Sequence, residues 1–219
     1  MGLVVRFFWI VVIFSLSIAC DQTVQFEQPQ PSGIPDLNQL PDRLLGTYFS
    51  QEDSSTLEVS NDLITICNRA LIKISVLDIG EGVTLSGDTI IDESSGYKEP
   101  VKRYGDSIEV RWPLWTDTLY RSGDRYVLRK FKSRYFLNFR TAEGFWRVYL
   151  LHPGSGGAVA VQELLAPEDI ALLDAITPVK KIETDTVLGP RYEINPDRKA
   201  LRKLMRRGFT TRGIYQRVR

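Results

Sequence analysis

The stretch RYFLNFR, Arg134–Arg140, decides the fold. Tyr135, Leu137 and Phe139 fall on one side of an extended chain, and Arg134, Asn138 and Arg140 on the other. A period of two marks a strand with one face in a core and one in water. Phe136 breaks the pattern by standing among the polar residues. Runs of similar β-prone character recur on both sides of it: LLGTYFS, TLEVS, LITICNR, LIKISVL, SIEVRW, DTLYRS, RYVLRKF and FWRVYLL.

A repeated turn signal punctuates these runs. SGDTI, YGDSI and SGDRY place Gly87, Gly105 and Gly123 eighteen residues apart, each followed by Asp. Glycine reaches positive φ without penalty and Asp tolerates tight turns. Eighteen residues hold two strands of six or seven with their turns, so the spacing predicts an antiparallel meander returning on one edge. The fold class expected is mainly β, a barrel or a sandwich. LLGTYFS, with Gly46 two residues before Tyr48, resembles the opening strand of lipocalin-type barrels, whose pattern has Trp there. That likeness is a fold-level analogy and carries no ligand with it; a lipocalin-like carrier of a small apolar ligand is kept as the alternative function.

Two short C-terminal helices are expected beyond the loop HPGSGGA, which reads as a flexible connector. In PEDIALLDAI, Pro167 opens a helix, Glu168 and Asp169 sit at its positive end, and Pro178 lies just beyond. In INPDRKALRKLMRRG, Asn195 is the expected cap, Pro196 the first helical residue and Gly208 the end, with Ala200, Leu201, Leu204 and Met205 forming an apolar stripe. The runs VKKIETDTV and GIYQRV read as strands.

Near the start of the chain, Phe7 to Ala19 is apolar apart from two serines and follows Arg6, the layout of a secretory signal. Its helical length of about 20 Å falls short of a roughly 30 Å hydrocarbon core. Leu16-Ser17-Ile18-Ala19 before Cys20 resembles the lipobox of bacterial lipoproteins, with Ser17 where Leu is usual. The resemblance implies cleavage before Cys20, a diacylglycerol on its thiol and acylation of the new amino terminus. Two or more chains hold stably in a bilayer where one holds marginally. Asp21 follows the cysteine, where in some enteric bacteria an aspartate retains lipoproteins in the inner membrane; that rule does not extend to all lineages, and the outer membrane is the favoured address.

The expected organisation is a signal peptide at 1–19, a lipidated cysteine and flexible tether at 20–42, a β domain at 43–165 and a helix-containing segment at 166–219 packed on it. The tether assignment rests on the Gln-, Pro- and Ser-rich composition of QFEQPQPSGIPDL.

A formal net charge of +1 argues against nucleic acid as a partner. The charge is uneven: eight acids between Asp21 and Asp62 face the single Arg43, whereas nine basic residues between Arg198 and Arg219 face the single Asp197. If Cys20 is acylated, Cys67 has no disulfide partner and reads as a buried apolar residue. With His152 the only histidine, no metal centre of nitrogen and sulfur ligands is expected, and no cofactor. The acid pairs Asp78 with Glu81 and Asp92 with Glu93 lack the spacing of a calcium loop.

GDSI, Gly105–Ile108, resembles the nucleophile block of the GDSL hydrolases, but Tyr149 stands where an Asp three residues before His152 is required. GSGG, Gly154–Gly157, resembles the glycine-flanked serine of trypsin-like proteases, again without a visible orienting carboxylate. No catalytic residue is expected. Two sets of binding residues are: the rings of Trp112, Trp115, Tyr120, Trp146 and Tyr149 for a small apolar ligand, and Arg198, Lys199, Arg202, Lys203, Arg206 and Arg207 for an anionic surface. The function expected is that of a membrane-anchored envelope lipoprotein, a non-enzymatic binding or interaction module. Its partners are the bilayer through acylated Cys20 and an envelope protein.

Overall fold

The structure, a computed structural model, describes residues 24–94, 96–164, 170–183 and 190–218. Cys20 and the signal segment lie outside the described residues, as do Pro167, Glu168 and Asp169. Strands dominate: β1 (Val24–Phe26), β2 (Gly46–Phe49), β3 (Ser55–Val59), β4 (Leu63–Ser75), β5 (Val83–Ser86), β6 (Thr89–Asp92), β7 (Lys98–Tyr104), β8 (Ser107–Arg121), β9 (Tyr126–Phe131), β10 (Arg134–Arg140), β11 (Trp146–Pro153), β12 (Val159–Glu163), β13 (Val179–Ile182), β14 (Arg191–Ile194) and β15 (Thr210–Arg217). Among the described residues two helices join them, α1 (Ile170–Asp174) and α2 (Arg198–Arg207).

All fifteen strands belong to one sheet. The main path runs β13-β14-β1-β11-β12-β15-β2-β3-β4-β8-β7-β6-β5, and β10 and then β9 branch from the other edge of β11. Pairing is antiparallel except between β1 and β14. The sheet curls until Leu119 and Tyr120 of β8 share a core with Leu128 of β9. Among the described residues no ladder joins β8 to β9, so the curl is not closed into a barrel. The seam is spanned by the edge-to-face rings of Tyr120 and Tyr126, 5.7 Å apart.

β10 explains why RYFLNFR alternates imperfectly. Tyr135 and Leu137 enter the core inside the curl, while Phe136 enters a second core under Leu201, Leu204 and Met205 of α2. Asn138, on the same side as Phe136, is also fully buried. The strand is covered on both faces, so one-sided alternation does not apply to it.

The segment 24–42, expected to be a tether, is a folded part of the body. Val24 and Phe26 are buried, and β1 lies between β14 and β11. Gln30 is buried as well: its backbone N–H donates to Asn138 Oδ1 at 2.6 Å, and Asn138 Nδ2 donates to the Gln30 carbonyl at 2.9 Å. Arg129 donates to the Pro29 and Pro31 carbonyls and pairs with Asp36 at 2.7 Å. Leu37 N–H donates to Leu128 of β9, after which Leu40 and Leu44 enter the inner core. The segment is thus a strap crossing the free edge of β9, a device that hides unpaired backbone groups. Composition hid this, because the strap is held by polar partners about a hundred residues away.

Other expectations change. Gly87, Gly105 and Gly123 all sit in turns at positive φ, but Gly105 and Gly123 lie at opposite ends of β8, one fifteen-residue strand. β8 runs through Pro113 because β7 pairs it only between Ser107 and Val110, leaving an edge where no N–H is needed, and Leu114 bulges out of the ladder with β4. HPGSGGA is the turn of the β11–β12 hairpin rather than a connector to a separate segment, and β13, β14 and β15 belong to the sheet. The cap of α2 is Asp197, whose carboxylate accepts from Ala200 N–H at 2.6 Å, while Asn195 Nδ2 donates to Glu27. As expected, Ala200, Leu201, Leu204 and Met205 are the buried stripe of α2, and Cys67 is buried in β4.

Candidate functional site

The inside of the curl is occupied by side chains. Tyr48, Tyr135, Tyr149 and Tyr215 fill it together with Leu57, Ile64, Ile66, Leu119 and Leu137. The five rings expected to bind a ligand do not meet. Tyr120 and Tyr149 belong to this inner core, and Trp146 packs against the outer core under α2. Trp112 lies edge-on to Tyr97 in the small core of the β5–β8 arm, while Trp115 is exposed. By contrast, Arg198, Lys199, Arg202, Lys203, Arg206 and Arg207 all stand exposed on α2, as its amphipathic pattern requires.

One concavity has a distinctive composition. It measures about 650 Å³, and its rim carries Arg43, Lys130 and Lys132. Its floor is Leu44, Tyr48, Tyr135 and Val159, and the Pro153–Ala158 turn forms one wall. No carboxylate lines it, and none of the three rim cations has an ion pair among the described residues. Some cations elsewhere are paired, as Arg103 is with Asp88 and Arg191 with Glu193.

Local sequence builds this rim. Lys132 occupies the two-residue turn between β9 and β10 at φ 56°, a conformation that glycine adopts freely and lysine does not. Lys130 lies over the Tyr135 ring, 5.4 Å from its centroid. Arg43 is presented by a 3₁₀ turn, Asp42–Leu44, that Arg217 ties down by donating to the carbonyls of Arg43 and Leu45. Arg217 also covers the Tyr48 ring at 5.5 Å. Gly46, at φ 137°, makes room for it: a Cβ there would stand 2.9 Å from the Arg217 guanidinium. Tyr48 donates its hydroxyl to the Leu44 carbonyl at 3.0 Å, and burial raises its pKa.

The positive surface continues past the hairpin. Lys132 and Ser133 also line a smaller concavity of about 210 Å³, closed by Arg134, Arg202, Met205 and Arg206. Arg134 donates to the Met205 carbonyl at 2.7 Å, capping the C-terminal end of α2, and burial lowers its pKa. His152 is half-buried nearby, its pKa lowered by burial and by the Arg134 guanidinium. It does not form a hydrogen bond to a serine or a carboxylate among the described residues.

A second charged cluster is balanced. Arg212 meets Asp117 at 2.5 Å and Glu163 at 3.9 Å, and Glu163 also meets Arg147 at 3.3 Å. These two cations and two carboxylates surround the Tyr149 phenol, which burial pushes up to about 12, with Arg147 opposing and Asp117 and Glu163 assisting. Closed ion pairs leave no charge to recruit a ligand, so the unpaired concavity is the better candidate. Its signal in the sequence was present but dispersed, because Arg43, Lys130 and Lys132 come from two distant segments. Among the described residues no group of three or more His, Cys, Asp or Glu is placed to hold a metal ion. No helix of the described residues is long and apolar enough to cross a membrane. Comparison with protein-family models, with curated proteins and with solved structures returned no significant match.

Proposed function

We propose that the chain is an exported envelope lipoprotein, held in a bilayer through acylated Cys20, whose body is a non-enzymatic binding or interaction module. The outer membrane is favoured over the inner. The observation that carries the binding role is the run of unpaired cations from Arg43 across Lys132 to α2. Such a surface recruits anions and supplies no nucleophile and base pair. The packed interior favours this role over that of a lipocalin-like carrier, which needs an internal cavity.

The placement of β1 supports the anchored reading. Val24 is buried in the same outer core as Leu201, Leu204 and Met205 of the basic helix. Only Asp21, Gln22 and Thr23 separate Cys20 from Val24, a reach of roughly 13 Å when extended. An anchor at Cys20 holds the body against the headgroups, where juxtamembrane cations each contribute about 1 kcal/mol on an anionic surface.

Intact-mass measurement of the protein from native membranes tests the anchor. The expected species begins at Cys20 and carries a diacylglyceryl group and an amino-terminal acyl chain, and Cys20→Ala leaves the chain uncleaved. A species retaining Met1, or one with an unmodified Cys20 thiol, overturns this reading.

A further inference from the structure

We propose that the concavity between Arg43 and Lys132 binds the headgroup of an anionic phospholipid, its phosphate on the cationic rim and its first apolar carbons on the floor. This rests on the anchored reading, which brings the body to a lipid surface. Four observations point to the ligand class. The rim holds three cations and no carboxylate, so a net negative charge is required. The floor of Leu44, Tyr48, Tyr135 and Val159 is apolar, and Tyr48 has already spent its hydroxyl on Leu44, so a bare inorganic anion leaves the lower part of the site unmatched. A volume of about 650 Å³ suits a headgroup with its glycerol and adjoining methylenes. Finally, Lys132 holds a positive φ that glycine adopts without strain, and an uncommon backbone conformation at a concave site motivates a functional reading.

The neighbouring surface fits the same partner. Arg134, Arg202 and Arg206 share Lys132 and Ser133 with the first concavity, so one headgroup seated beside Lys132 lies next to a second cationic patch. A bilayer offers many headgroups to such a band at once, whereas a single soluble anion occupies only part of it.

The test uses the full chain in neutral detergent and measures amine acetylation of Lys130 and Lys132 by mass spectrometry, with Lys73 and Lys102 of the β4–β8 arm as references. Monomeric dihexanoyl phosphatidylglycerol is expected to slow Lys130 and Lys132 several-fold and leave the references unchanged. Dihexanoyl phosphatidylcholine and inorganic phosphate at equal concentration are expected to protect neither. Lys132→Gly removes a cation while relieving the positive φ, so it folds at least as well; it is expected to weaken protection of Lys130 about tenfold. Equal protection by phosphatidylcholine, equal protection by inorganic phosphate, or no protection by phosphatidylglycerol overturns the proposal. The mass at Cys20 in the same sample separates the two readings. An acylated Cys20 without protection sinks the lipid site alone, and protection with an unmodified Cys20 sinks the anchor alone.

Discussion

Asn138 shows how one side chain joins distant parts of this chain. Its amide accepts from Gln30 N–H and donates to the carbonyls of Gln30 and Val127, holding the strap to the hairpin of β9 and β10. Asn138→Leu strands buried backbone groups, and urea unfolding is expected to record a loss of about 3 kcal/mol. Gly46→Ala meets both a φ that alanine avoids and the Arg217 guanidinium, so a loss of more than about 1 kcal/mol is expected, partly restored by adding Arg217→Met. Tyr149 governs behaviour in alkali. Its phenol titrates near 10 when unfolded and about 12 when folded. Its contribution is therefore complete below pH 10 and is lost as pH rises towards 12, by roughly 2 to 3 kcal/mol. Tyr149→Phe is expected to flatten that fall in unfolding midpoints taken between pH 8 and 12. Phe136 was the residue whose misfit in the sequence carried real information: it announced a second core that alternation alone does not place.

Among the elements, the strands were legible because period-two patterning is local, and α2 because its apolar stripe and its terminal glycine are local too. What was not legible depends on partners. Asn195 and Asp197 are both good caps by residue type, and the contact of Asn195 with Glu27, from the far end of the chain, decides between them. Asp197→Ala is expected to cost about 1 kcal/mol, read from the thermal midpoint, whereas Asn195→Ala leaves the helix intact. The eighteen-residue spacing predicted two strands on each side of Gly105, and held only before it. β8 stays continuous because β4 pairs it over nearly its whole length and tolerates two register shifts, at Leu114 and Leu119. A bulge absorbs an extra residue without ending a strand, which periodicity read from residue type does not anticipate.

At the scale of the whole molecule, two cores back one central hairpin while the β5–β8 arm has a small core of its own, with Ile90, Ile108 and Val110 buried. Native-state hydrogen exchange is expected to protect β10 and β11 most and to release β5, β6 and β7 first, since local opening follows local burial. Exchange of the arm at the same rate as β10 contradicts that hierarchy. The signal of the candidate concavity was dispersed in the sequence for a related reason: a strap read as a tether brings Arg43 to the β9–β10 turn only after it has rounded the edge of the sheet.

β15 pairs with β12 on one side and β2 on the other, and among the described residues it is the last strand. Until residue 210 has been made, the inner fabric consists of two unjoined pieces, each with a raw border ready to stick to a neighbour. Joining the two pieces thus falls to eight residues, and their removal is expected to leave both borders open to pairing with other chains.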